Sequence, residues 1–414
     1  MKTLCTLCLL LCLSPLGARA QIVDIPDPVF KYILVNLAIA DTDGDGDMGE
    51  LVDTNSDGEI QVSEAEAVFG LNVAAIDLNG EHIQSLEGLE AFVNLEQLYC
   101  AQQEISVMDV TNLSQLRVLV CNYNLLPSLD VSQNTLLEKI DCSGNPISGI
   151  IDTSQCTGLK RFSCVGNQTI IVDVTQNPQL EVFYCRMITG STIDLSQNTA
   201  LYDLFIVDSP LNTLDLTQNP ALMYMEVRNT QLTEIDLTQN LLLRVVILDN
   251  NLLSRLDVSG NPEVVNVWCN NNQLTELNVR NGNNANFFNM KAEGNPSLSC
   301  IEVDDVGYAN AQPCNVTTGW CKDETATYSE DCQLGNAEVG LNPFVLYPNP
   351  AKDLLSVEGS EAVVKVTLYD LWGRKLLEAT RDFAQIPVGH LPAGILLVEV
   401  ATEKGTVLEK VVKG

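Results

Sequence analysis

Between about Leu86 and Cys300 one order of apolar and polar positions recurs along the chain. Leu-Asp-Val-Ser-Gln-Asn-Thr-Leu-Leu-Glu-Lys-Ile-Asp-Cys-Ser-Gly-Asn-Pro-Ile at 129–147 and Leu-Asp-Leu-Thr-Gln-Asn-Pro-Ala-Leu-Met-Tyr-Met-Glu-Val-Arg-Asn-Thr-Gln-Leu at 214–232 follow the same template. Its aspartate falls at Asp109, Asp130, Asp152, Asp173, Asp194, Asp215, Asp236 and Asp257, and Asn278 takes the next slot. Successive positions differ by 21, except for 22 between Asp130 and Asp152. Within 137–147, Leu137, Ile140, Cys142 and Ile147 point inward and Asn145 turns the chain. One such coil cannot bury its apolar face alone, so neighbours must stack. Stacking predicts short parallel strands about 4.8 Å apart, around residues 139–143 and their equivalents. These strands line one curved, concave face of a solenoid, and short turns form its convex side.

The turn position carries Asn124, Asn145, Asn167, Asn251, Asn272 and Asn295, whose amides can satisfy backbone groups that a turn leaves unpaired. Ile188, Ser209 and Thr230 interrupt this column, so coils five to seven are expected to be less regular there. One inward slot holds Cys100, Cys121, Cys142, Cys164, Cys185 and Cys269, with Ile206, Val227 and Leu248 in the other coils. Exchange with Ile, Val and Leu marks these thiols as small buried hydrophobes. Disulfides between coils fail on geometry, because neighbours in register have parallel Cβ vectors nearly 5 Å apart and a bridge needs about 3.8 Å. A period in this range with L-x-x-L-x-L-x-x-N-x-L is the leucine-rich-repeat signature. With its interior cysteine ladder, the 21-residue repeat resembles the internalin J type of bacterial surface protein over about half of the chain.

The flanks read differently. Residues 1–20 begin with Lys2, continue through an apolar stretch and end Ala18-Arg19-Ala20, the pattern of a secretory signal peptide. A lipoprotein signal anchored at Cys12 is the rival, but Leu11 stands where a small residue is needed. No other apolar run approaches the length of a membrane span. Residues 21–85 are expected to form an N-terminal cap, with a helix over 25–40. Within it, 53–64 meets the EF-hand calcium loop position by position. Asp53, Asn55 and Asp57 supply side-chain oxygens, Gly58 makes the sharp turn and Glu59 offers its carbonyl. Ile60 is the apolar plug, Gln61 sits at position 9 and Glu64 is the closing carboxylate. The alternative is a solvated acidic loop; the full register favours structural calcium. Asp41, Asp43, Asp45 and Asp47 form a weaker candidate, because position 12 counted from Asp41 is Val52. His82 has no cysteine or second histidine near it, which favours a packing role.

After the repeats (86–299), residues 300–335 hold Cys300, Cys314, Cys321 and Cys332 in a segment too poor in apolar residues for its own core. Four cysteines allow three pairings. Cys300 with Cys332 and Cys314 with Cys321 is favoured, because the outer bond would lock the end of the solenoid. A linker is expected over 336–343. From 344 the period changes, and short strands at 345–347, 354–358, 363–369, 375–378, 395–400 and 407–412 predict a small Ig-like β-sandwich. This unit resembles the type A sorting domain of the type IX secretion system. Tyr347-Pro348-Asn349-Pro350, Leu371-Trp372-Gly373-Arg374, Leu391-Pro392-Ala393-Gly394 and Lys410-Val411-Val412-Lys413 carry the match, although Leu396 stands where the family has tyrosine. The resemblance implies passage through the outer membrane, removal of the domain, and surface attachment or release.

A formal net charge of -32 argues against nucleic acid and anionic membranes as partners. No catalytic motif accompanies the repeats. The functional expectation is therefore a non-enzymatic binding protein that takes a protein or glycan on its concave face. The alternative is a calcium-binding structural spacer. The outward strand positions are expected two before, one before and one after the cysteine slot. In the column just before it, Tyr184 neighbours Phe205 with Met187 and Tyr224 beside them, and Ile247 neighbours Trp268. Clustered exposed aromatics mark binding sites.

Overall fold

The computed structural model describes residues 21–315, 318–332, 344–359, 362–370, 373–402 and 406–414, without the side chains of 407 and 408. The expected signal peptide, the linker, Leu371 and Trp372 lie outside the described residues. The chain divides into two compact units between Asp331 and Cys332, each with its own apolar core.

The first unit is a solenoid of parallel strands. Its main sheet has 13 strands, running one per coil from Gly70–Asn72 to Gly319–Lys322, with Ala40–Asp41 added antiparallel at the N-terminal edge. Stacking in register places Leu119, Ile140, Phe162, Phe183 and Leu204 one above another in the core. The aspartate column lies on the far side. Each of its side chains accepts the backbone N–H two residues on, at 2.9–3.0 Å from Asp109 to Asn278. These Asx turns hand the chain to a second asparagine column, Asn134, Asn177, Asn198, Asn219, Asn240 and Asn261, all buried. Asn219 Nδ2 donates to Leu195 and Asn198 carbonyls of the preceding coil at 3.0 and 2.9 Å, and the others repeat this. Cys156 stands in that column and is buried. From coil eight on, Arg255–Asp257, Glu276–Asn278, Cys300–Glu302 and Thr327–Ser329 form a second parallel ladder.

The turn after each strand needs one left-handed residue. It is Gln102, Tyr123, Gly144, Gly166, Met187, Asp208, Asn229, Asn250, Asn271 and Gly294 in successive coils, with φ between 52° and 76°. The next residue is the first asparagine column. Asn145 Nδ2 donates to Cys121 and Cys142 carbonyls at 3.0 Å each, and its Oδ1 accepts from Leu126 N–H at 3.0 Å. These bonds end the strand. Where Ile188, Ser209 and Thr230 replace asparagine the strand does not become irregular, as the sequence suggested, but grows. Val182–Arg186, Asp203–Val207 and Tyr224–Arg228 have five residues, against three in Lys139–Asp141. Without an amide to capture the carbonyls, the backbone continues its own ladder.

The cysteine column is buried and free. Burial pushes the Cys100 thiol up to about 12, and Cys121 and Cys142 rise for the same first reason. Such thiols stay neutral in the folded chain but ionise nearer 9 once unfolded. Their contribution is therefore complete below the unfolded value and lost as pH rises through the window between the two. Each thiol is expected to take about 1.4 kcal/mol per pH unit from stability there. Melting from about pH 8 to about pH 10 checks this, because Cys121→Val should flatten the decline. A variant curve parallel to the wild type contradicts it.

At the N-terminal end the helix covers Pro28–Asn36, shorter than 25–40. Asp27 caps it through bonds from Val29 and Phe30 N–H, both 2.9 Å, and its other oxygen accepts Gln84 and Ser85 N–H of the first coil. The cap differs from an EF-hand in its frame. A four-residue helix, Val62–Ala65, begins within the last residues of loop 53–64, but the segment from 42 to 52 that leads into the loop has no helix. Ile60 is buried as expected, and its carbonyl accepts from Val23 N–H at 2.8 Å.

At the far end Cys314 and Cys321 are joined, and Cys300 and Cys332 are also disulfide-bonded.

The second unit has two antiparallel sheets. Phe344–Tyr347, Leu354–Gly359 and Ile386–Pro387 form one, and Lys375–Ala379, Val363–Tyr369, Gly394–Thr402 and Thr406–Lys413 the other. Leu355, Val366, Leu368, Val398, Val400 and Val411 fill its core. Among the described residues, Ile386–Pro387 is a strand that the alternation of the sequence does not predict.

Candidate functional site

The concave face is built from alternation. Residues two before the cysteine slot, Leu98 to Met290, are buried, so that column faces the core and not the outside as expected. The outward columns are three before, one before and one after. Moving the column by one brings Lys139, Arg161, Asp203 and Tyr224 onto the face.

Register then places the aromatic candidates. Phe205 pairs with Tyr184 on one side and Glu226 on the other, and Ile247 pairs with Glu226 and Trp268. Tyr184 and Phe205 meet edge to face at 5.8 Å between centroids. Tyr224 neighbours Asp203 in the column three before the slot and is 40% exposed. Met187 stands in the left-handed turn at the rim, 41% exposed, rather than on the strand. Six candidates thus lie along one ladder and its rim, with Glu226 separating two groups.

Polar side chains hold the face in place. Tyr184 Oη donates to Asp203 Oδ2 at 2.5 Å, and burial together with this carboxylate holds the phenol well above its usual range. Arg161 donates to Tyr202 Oη at 3.2 Å. Arg228 pairs with Glu226 at 2.5 Å and Arg186 with Asp208 at 2.6 Å. Along the rim Asn271 donates to Asn250, Asn250 to Asn229 and Asn229 to Asp208, at 2.9, 2.8 and 2.6 Å. Burial pushes the Asp249 carboxyl up against the Asn270 N–H that it accepts at 2.7 Å. The ladder closes at Lys291, which is buried and donates to the Thr318 carbonyl and Cys321 Sγ, both at 3.2 Å.

The acidic loops form a second candidate. In loop 53–64, Asp53 Oδ2 accepts from Gly58 N–H at 2.9 Å, and Gly58 has φ 83°. Glu64 Oε1 accepts from Thr54 N–H and Oγ1, both at 2.8 Å. Asn55 donates to Gln61 at 2.6 Å, and Gln61 Nε2 donates to both Asp57 oxygens. Glu59 pairs with Lys31 at 2.5 Å. The first loop repeats the plan. Asp41 Oδ1 and Oδ2 accept from Gly44 and Gly46 N–H at 2.7 and 3.0 Å, and Asp43 and Asp45 accept from Asp45 and Asp47 N–H. Glu50, unnoticed in the sequence, does here what Glu64 does there: it accepts from Thr42 N–H at 2.7 Å and from the Thr42 hydroxyl. Asp41, Asp43 and Glu50 bring carboxylate oxygens within 4.8 Å of one another. The loop ranked weaker from sequence thus has the tighter carboxylate cluster.

In the second unit, Asn349 Oδ1 accepts from Val412 N–H at 2.8 Å, so the Tyr347-Pro348-Asn349-Pro350 motif touches the last strand. Tyr347 Oη donates to Glu358 at 2.9 Å. Gly373 and Gly394 have positive φ of 75° and 141°. Lys413 is buried and Lys410 is exposed.

Comparison with known proteins agrees with both halves. Residues 345–414 match the family described as the secretion system C-terminal sorting domain. The functional domain of InlJ from Listeria monocytogenes, which includes a cysteine ladder, superposes with a TM-score of 0.51 at 20% identity, covering 86% of this chain and 92% of that one. A TDR receptor gives 0.50 at 15% identity, over 59% of this chain and 48% of that one. An internalin, inlF, from Listeria monocytogenes gives 0.37 at 16% identity, over 70% and 92%. No curated protein sequence matches the chain. Among the described residues no helix is long and apolar enough to cross a membrane. Residues 345–414 are therefore a secretion system C-terminal sorting domain, which directs the chain to the cell surface or beyond, and the solenoid before it has the leucine-rich-repeat fold of an internalin.

Proposed function

We propose that the chain is a non-enzymatic, adhesin-like binding protein that takes its ligand on the concave face. The observation that carries this is the ladder from Tyr184 to Trp268. There partly exposed aromatic and aliphatic side chains stand on a parallel sheet, held in place by ion pairs and hydrogen bonds on the same face. A prepositioned apolar strip loses little freedom on binding and presents the residue types that dominate interface energies. Alanine at Tyr184, Phe205 and Trp268 together is expected to reduce adhesion or ligand capture by at least about tenfold at equal surface amounts. Unchanged capture favours the spacer reading instead.

Calcium is the second reading, and buried charge favours it. Asp41, Asp53 and Glu64 are all at least nine-tenths buried, at 3%, 3% and 8% exposure, and among the described residues no cation pairs with them. Buried carboxylates are costly unless a cation or metal compensates them. Asp41, Asp43 and Glu50 would hold one ion, and Asp53, Asp57 and Glu64, with the Asn55 and Gln61 carbonyl oxygens and the Glu59 backbone carbonyl, a second. Calcium would supply positive charge that ties the two loops to the open end of the solenoid. Melting with calcium against chelator should then differ by several degrees, and Glu50→Gln and Glu64→Gln should each remove part of the gain. Equal melting in both conditions would sink it.

A further inference from the structure

We infer that the first aromatic group on the concave face is built to take a lysine or arginine side chain of a partner protein, with Asp203 as its counter-ion. This rests on the concave-face reading and narrows it. Asp203 lies beside Tyr224 in register and two residues from Phe205 on the same face of one strand. Tyr184 fixes its Oδ2 from the neighbouring coil at 2.5 Å and meets Phe205 edge to face. A carboxylate thus stands among three aromatic rings, and one of them, Tyr224, is 40% exposed.

The nearby cations are already engaged. Arg186 is held by Asp208, Arg228 by Glu226, and Arg161 by the Tyr202 hydroxyl. Among the described residues no cation reaches ion-pair distance of Asp203, and none of its hydrogen bonds engages Oδ1. Asp203 therefore stands on the face as a carboxylate without a cation of its own, in a chain whose formal charge is -32. Ring faces attract an ammonium or guanidinium, and a fixed carboxylate gives it a partner with directed hydrogen bonds. The same charge balance steers basic partners toward the face and repels acidic ones. A neutral glycan would use the rings but leave Asp203 without a cation, so a basic protein segment is the better match.

Fluorescence anisotropy with labelled hexa-arginine and the mature full chain, at physiological salt, tests this. Asp203→Asn and Tyr224→Ala should each weaken binding by about tenfold, while Asp141→Asn, on the same face but outside the group, should change it by less than about twofold. Tyr224→Ala removes no charge, so attraction by overall charge alone would leave it unaffected. Melting curves would establish that each variant is folded. Equal weakening by Asp203→Asn and Asp141→Asn, no effect of Tyr224→Ala, or no binding would overturn the inference. If hexa-arginine fails while the alanine triple variant still loses ligand capture, the binding face stands and the cation site falls. If hexa-arginine behaves as expected while the triple variant captures normally, the cation site stands and the adhesin reading falls.

Discussion

Deleting residues 344–414 is expected to abolish delivery to the cell surface and to leave a folded solenoid inside the outer membrane. Among the described residues each unit has its own core: the buried solenoid cluster ends at Ala326 and the buried sorting-domain cluster begins at Phe344. Removing the second should therefore cost the first little stability, because units with separate cores fold separately. The solenoid also has its own end closure, where Cys314–Cys321 and the buried Lys291 anchor the loop beside the last strand of the main sheet. Delivery is a different matter, since residues 345–414 are the sorting domain. Fractionation with antibody to the solenoid reads both quantities. In the wild type the surface form should be shorter by roughly the length of that domain if it is removed as an independent module. A truncated protein at the surface in wild-type amounts would mean that export does not depend on the domain.

Asn145→Ala is expected to destabilise the solenoid by about 2 kcal/mol or more. Its amide serves three buried backbone groups, the Cys121 and Cys142 carbonyls and the Leu126 N–H, each at 3.0 Å. Alanine leaves the Cys142 carbonyl and the Leu126 N–H without a partner, whereas the Cys121 carbonyl keeps its bond from Asn124 Nδ2 at 2.9 Å, and each buried unsatisfied group costs about 1–3 kcal/mol. Urea unfolding measures the loss. A change below about 1 kcal/mol would mean that the backbone finds other partners, as it does around Ile188 by lengthening the strand.

Much of this architecture was legible because a solenoid writes each structural column as a column of one residue type. The aspartates, both sets of asparagines and the cysteines lie where the 21-residue step places them. The errors came where one residue of offset matters. Counting outward positions as two before the cysteine concealed Asp203 and misassigned a buried column, although strand alternation from Cys185 back to Phe183 implies burial. Glu50 was hidden because the loop from Asp41 closes two residues earlier than the twelve-residue spacing, and only the three-dimensional turn shows that it reaches Thr42. The left-handed column was half visible in Gly144, Gly166, Asn229, Asn250, Asn271 and Gly294. Tyr123 and Met187 masked it, because neither side chain favours that conformation and stacking imposes it on them. The second ladder from Arg255 onward has no separate sequence signal, since it arises as the convex segments of the last coils come into register.

Ligand is expected to meet the strand face between Tyr184 and Trp268. Chemical cross-linking of the captured complex, followed by mass spectrometry, locates that contact directly. Linked peptides should map to Val182–Arg186, Asp203–Val207, Tyr224–Arg228, Val245–Ile247 and Asn266–Trp268. Links concentrated on the Asx turns around Asp194, Asp215 and Asp236, with none on those strands, would contradict it.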